Sequence, residues 1–142
     1  MNTPVIVDTS GLISLVSSTD SNHSRALAAS DHLVAAKRAL IIPGEVFTET
    51  VNTLGKKTGH ETAASVGQRL ITSGEFVLVE TTTDLRTTAL TRFRSLPGGI
   101  SLTDCFVMAV ADLFQTKDIF GFDDAFRQNG YRLPDAGKQE AA

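Results

Sequence analysis

Tryptophan is absent from this chain, and cysteine and tyrosine occur once each. A single thiol cannot close an internal disulfide, so the fold must rest on a packed core rather than on covalent staples. Cys105 lies in the apolar stretch Cys-Phe-Val-Met-Ala-Val-Ala. That setting suits a buried structural thiol in a reducing compartment, not a nucleophile, which needs electropositive and partly exposed surroundings. No apolar run reaches the roughly 20 residues of a membrane-spanning helix. No basic stretch precedes the short run at Val5 to Val7, so no secretory signal is read, and the expected location is the cytoplasm. An excess of basic residues is missing too: 13 Lys and Arg face 16 Asp and Glu, a net charge of −3. Nucleic-acid-binding domains are commonly basic, so such a partner requires the acids to be gathered in one site and bases to line its rim.

What the chain does have is enough apolar content, 42% of 142 residues, to bury one domain-sized core. Apolar runs at Val5 to Val7, Ala39 to Ile42, Phe76 to Val79 and Ile119 to Phe120 read as buried strands, with an edge strand over Tyr131 to Leu133. Between them lie helical patterns: a short one from Leu12, then one capped by Ser21 or Asn22 with Ala26, Leu27, Leu33 and Val34 inward. Others follow from Pro43 to Gly55, from Gly59 with Ala63, Val66, Leu70 and Ile71 inward, and from Thr82 or Thr83 with Leu85, Ala89, Leu90 and Phe93. Ser101 to Phe114 is read as the most apolar helix and therefore as central, and Asp123 to Gln128 as a short last helix. Strands alternating with helices predict an α/β fold with a central parallel sheet.

Four acids fall where strands give way to helices: Asp8, Glu49, Asp104 and Asp123. The carboxyl ends of parallel strands share one edge, where ligands bind, so these acids are expected to converge. Converging carboxylates raise one another's pKa unless a cation intervenes, and a hard divalent cation with oxygen ligands is the simplest occupant. Taken singly, three of them are explained by helix capping; Ser101-Leu-Thr-Asp104 fits a capping box. Glu49 breaks the pattern, because it lies more than a turn inside its helix between Phe47 and Val51. Glu45, four residues earlier, shares its face but sits in the first turn, where the helix dipole alone favours an acid. Asp123 and Asp124 are adjacent, and only one can readily face the shared edge. Thr9, Ser10 and Ser101 are candidates to hydrogen-bond these carboxylates or a phosphate, and equally good turn or cap residues. His23, His32 and His60 lack metal-ligand spacing.

The motifs around these acids resemble those of the PIN-domain nucleases, in particular the VapC-type toxins of VapBC toxin–antitoxin pairs. The similarity rests on Val-Ile-Val-Asp8-Thr-Ser-Gly-Leu-Ile, Pro43-Gly-Glu-Val-Phe-Thr-Glu49, Ile100-Ser-Leu-Thr-Asp104 and Phe122-Asp123-Asp-Ala-Phe126, in that order. It implies a single PIN-like domain over residues 1–134, with 135–142 as a flexible tail. It also implies a Mg²⁺- or Mn²⁺-dependent endoribonuclease whose metal is held by Asp8, Glu49, Asp104 and Asp123. An RNA substrate, a cognate antitoxin protein, a homodimer and no membrane association are implied with it. Lys56, Lys57, Arg69, Arg92, Arg94 and Arg127 are candidate contacts to the RNA backbone. Gly121 departs from the family, which often has Thr or Ser two residues before the last acid.

Other classes fit less well. A phosphoacceptor receiver domain would show paired acids after the first strand, and an Asp-x-Asp phosphatase is weakened by Ser10. No Walker or dinucleotide Gly-rich motif is present. A PIN scaffold that binds RNA or protein without catalysis is the alternative, and retention of all four acids counts against it.

Overall fold

The computed structural model describes residues 2–134, so the tail expected over 135–142 lies outside the described residues. The chain runs β1 (Val5–Val7), α1 (Thr9–Val16), α2 (His23–Ala35), β2 (Leu40–Pro43), α3 (Gly44–Thr58), α4 (His60–Thr72), β3 (Phe76–Val79), α5 (Thr83–Ser95), α6 (Leu102–Leu113), β4 (Ile119–Phe120) and α7 (Asp124–Gln128). The four strands form one sheet, all parallel, in the order β3-β2-β1-β4. Ile6 pairs with Ile41 on one side and Ile119 on the other. Connections through α1–α2 and α3–α4 carry the chain outward from β1, and α5–α6 return it to the opposite side of β1. The sheet's order therefore reverses between β1 and β4, and the crevice for a ligand opens at such a point.

Every residue of β1, β2 and β4 is buried, as strands covered on both faces should be. Asp104 to Ala111 of α6 are buried without interruption, which makes α6 the central helix, packed on β1 and β2. Cys105 lies among them, its thiol pushed up by burial. The edge strand expected over Tyr131 to Leu133 is only a bridge between Asp118 and Arg132. A hydrogen-bonded ion pair from each of Arg38 and Arg132 to Asp118 ties that segment to the α2–β2 turn.

Leu27, Val34 and Ile71 are exposed, contrary to their expected inward placement, and Leu90 and Phe93 of α5 are exposed too. Leu27, Val34, Ile71 and Leu90 each follow a buried residue (Ala26, Leu33, Leu70 and Ala89), and one residue further along is about 100° round a helix. The buried stripes are simply narrower than the apolar pattern.

Two glycines bring the turns after β1 and β4 together. A Cβ on Gly11 would lie 2.2 Å from the Phe120 carbonyl oxygen, and one on Gly121 would lie 2.7 Å from the Asp8 Cβ. Neither position has room for a side chain.

Candidate active site

Asp8 leaves β1 in extended conformation and caps α1. Its carboxylate accepts from the Ser10 hydroxyl at 2.9 Å and the Ser10 backbone N–H at 3.3 Å. The same hydroxyl oxygen accepts from the Phe122 N–H at 2.9 Å, so Ser10 couples Asp8 to the turn that follows β4. Asp104 is the third helical residue of α6 and completes the capping box with Ser101: its backbone N–H donates to the Ser101 hydroxyl, and its carboxylate accepts from the Ser101 N–H. Asp123 caps α7 through the Ala125 N–H at 3.1 Å. Glu49, exposed on α3, accepts a 2.5 Å hydrogen bond from the Thr9 hydroxyl, which fastens α3 to the β1–α1 turn.

Electrostatics tie these positions together. Asp8 is only 3% exposed and Asp104 only 8%. Burial, the largest influence, pushes Asp8 up to about 6, with the charge on Glu49 adding to it and the bonds from Ser10 opposing. Asp104 rises to about 7, again chiefly from burial, then from the charges on Asp8 and Asp123. The four acids named from sequence therefore act on one another at a single edge of the sheet. They do not form a closed cage: among the described residues no group of three or more His, Cys, Asp or Glu is drawn together tightly enough to hold a metal ion as it stands. The donors are nonetheless all carboxylate oxygens around two desolvated acids, a set whose chemistry fits a hard divalent cation. Asp104 and Asp8 supply the enclosed side of such a site, with Glu49 and Asp123 at its rim.

The neighbours divide into useful and committed groups. Arg127 donates to the Gly121 carbonyl oxygen, its Nη1 is buried without a partner, and the charges of Asp124, Asp123 and Asp8 bear on it. Asp123 is the acid of the adjacent pair that also bears on Asp104. Glu45 accepts from the Thr81 hydroxyl. Arg92 is committed elsewhere, to Asp112 and the Tyr131 hydroxyl at 2.6 and 2.7 Å. Beside Glu49 opens a cleft of about 940 Å³ whose lining includes Asn52, Lys56, Arg86 and Thr103. Asn52 and Thr103 were not singled out from sequence. Asn52 and Lys56 stand three and seven residues after Glu49, on the same helical face, and that spacing was the available signal.

The family model described as PIN domain matches residues 5–130 of the chain. Among solved structures, VapC20 of Mycobacterium tuberculosis, a sarcin-ricin loop cleaving toxin, superposes with a TM-score of 0.79 at 24% sequence identity, covering 90% of this chain and 96% of that one. No curated protein matches the sequence.

Proposed function

The chain belongs to the PIN-domain family, and from that premise we propose that it is a divalent-metal-dependent endoribonuclease and the toxin of a toxin–antitoxin pair. The observation that carries this reading is the crowding of Asp8 and Asp104 with Asp123 and Glu49 where the sheet order reverses. Two buried carboxyls held near neutrality make a site that a cation would complete. Asp8, Glu49, Asp104 and Asp123 are the residues that would hold Mg²⁺ or Mn²⁺. Such an ion supplies water activation and offsets charge developing on the scissile phosphate.

The chain's own groups do the orienting. Ser10 fixes the Asp8 carboxylate and the Phe122 N–H together, and Thr9 does the same for Glu49. Ser101 holds Asp104 at the head of α6. Hydrolysis of the phosphodiester would leave a 5′-phosphate and a 3′-hydroxyl. The reading carries with it an RNA substrate, a protein antitoxin that covers the acidic crevice, a homodimer and a cytoplasmic site of action; the similarity in fold to VapC20, a sarcin-ricin loop cleaving toxin, supports the first of these. No helix among the described residues is long and apolar enough to cross a membrane.

The test is cleavage of total cellular RNA with Mg²⁺ or Mn²⁺, comparing the wild type with Asp104→Asn. Discrete metal-dependent fragments that vanish in the variant are the expected result. A folded, antitoxin-free wild type that cuts nothing under these conditions would leave a PIN scaffold that binds RNA or protein without catalysis.

A further inference from the structure

The cleft beside Glu49 has a composition unlike the acid crevice it adjoins. Its lining includes Phe47 and Leu78, both half-buried, together with Thr48 and Asn52. The cations Lys56 and Arg86 enter it from α3 and α5. Among the described residues neither forms an ion pair, whereas Arg38, Arg92 and Arg132 all do. The cleft meets the acid crevice directly, since Glu49 and Thr103, the neighbour of Asp104, line it.

We propose that this cleft seats the unpaired RNA nucleotides on one side of the scissile phosphate, with Lys56 and Arg86 holding backbone phosphates and Asn52 and Thr48 meeting base or sugar edges. The proposal rests on the ribonuclease reading above and names where its substrate lies. Apolar side chains in the lining accept the face of a base, and amides and hydroxyls both donate and accept, as base edges and 2′-hydroxyls require. A base lying there must be unpaired, because pairing would occupy the edge that the cleft reads. Glu45 and Glu80 also border the cleft. They would repel a backbone laid along its whole length, so the phosphates are confined to the neighbourhood of Lys56 and Arg86, and the strand enters in one orientation. Arg69 and Arg94 do not line the cleft, and Arg92 is bound to Asp112.

The experiment measures fluorescence anisotropy of a labelled RNA carrying a cleavage-site sequence, unpaired or as a duplex, in EDTA across a series of salt concentrations. Mg²⁺ is then added to follow cleavage. Lys56→Ala/Arg86→Ala is compared with wild type and with Arg69→Ala as control. For single strands the slope of log K against log salt changes by about 0.7 per phosphate contact, so the double variant should lose about 1.4 from that slope. Its KM should rise roughly tenfold with kcat nearly kept, as for groups that hold the backbone and not the reacting atoms. Asn52→Ala should weaken the unpaired RNA without changing the slope. Unchanged slope and KM in the double variant, or equal affinity for the duplex, would overturn the proposal. Wild type that binds unpaired RNA through Lys56 and Arg86 yet cuts nothing would keep the cleft and refute the nuclease reading instead.

Discussion

Asp8 and Asp104 are enclosed, while Glu49 and Asp123 stand in the open a short way along the same sheet edge. The enclosed pair is held by short local bonds, from Ser10 and Ser101, at the first turns of α1 and α6. Of the open pair, Glu49 is held across elements by Thr9 and Asp123 only by its own helix. The difference assigns the two pairs different tasks. Burial makes the enclosed pair the source of electrostatic demand, since desolvation opposes their ionisation. The open pair stands at the rim of the same edge, where solvent and ligand reach it first.

The sharpest way to break this comparison is to neutralise one member of each pair. Asp104→Asn should lower RNA cleavage about a thousandfold or more and raise the melting temperature of the metal-free protein, because it removes a buried, repelled charge. Glu49→Gln should also impair cleavage but leave the metal-free melting temperature nearly unchanged, as exposed substitutions generally do. Thermal melts with and without Mg²⁺, alongside cleavage rates, separate the pairs; equal stabilisation by both variants would dissolve the distinction.

Gly121→Ala tests whether the enclosed pair depends on close packing. Its new methyl would meet the Asp8 Cβ at 2.7 Å, and a misplacement on the ångström scale can reduce rate about a hundredfold. A variant that keeps wild-type cleavage would mean that Asp8 tolerates displacement. The bonds that orient each pair make a subtler comparison. Ser10→Ala removes a hydroxyl that serves both Asp8 and the Phe122 N–H, so metal affinity measured by calorimetry should fall by about 10-fold or more. Thr9→Val, which frees the exposed Glu49, should cost only a few-fold, and the reverse ranking would contradict the assignment.

The smallest expected effect is in the pH dependence of metal-free stability. Asp8 and Asp104 bind protons more tightly in the folded protein, with values near 6 and 7 against an ordinary value of 3.8. The folded state then carries more protons than the unfolded one between about pH 4 and 7, so stability falls as pH rises through that window. Denaturant melts in EDTA across this range should show the decline, reduced in Asp104→Asn. A flat profile would mean that the two carboxyls are already compensated.

The strands were legible because each is a short apolar run bounded by turn residues: Phe76–Val79 and Ile119–Phe120 begin and end where the residues suggest. The acids were legible because a parallel sheet sends the ends of its strands to one edge. Capping and convergence, set against each other for Asp8, Asp104 and Asp123, coexist at all three. A cap places a carboxylate at a helix start, which in this topology is the crevice. The widths of the buried stripes were not legible, since Leu27 and Val34 differ from Ala26 and Leu33 only by one step of helical rotation. Nor was the cleft, whose wall combines residues of α3, β3, α5 and α6. Arg38 and Arg132 meet on Asp118 across 80 and 14 residues of sequence, and no local pattern announces such a pairing.

The strand order carries a consequence for how the protein comes into being. Asp8 is made well before the strand that docks beside it, Ile119–Phe120, and before the acid that follows that strand. The β1–β2–β3 portion of the sheet can assemble during synthesis, N-terminal parts first, while the crevice still lacks one wall. A truncation ending at Asp118 should therefore neither bind Mg²⁺ nor cut RNA. Docking of β4 and the turn that carries Asp123 would close the crevice.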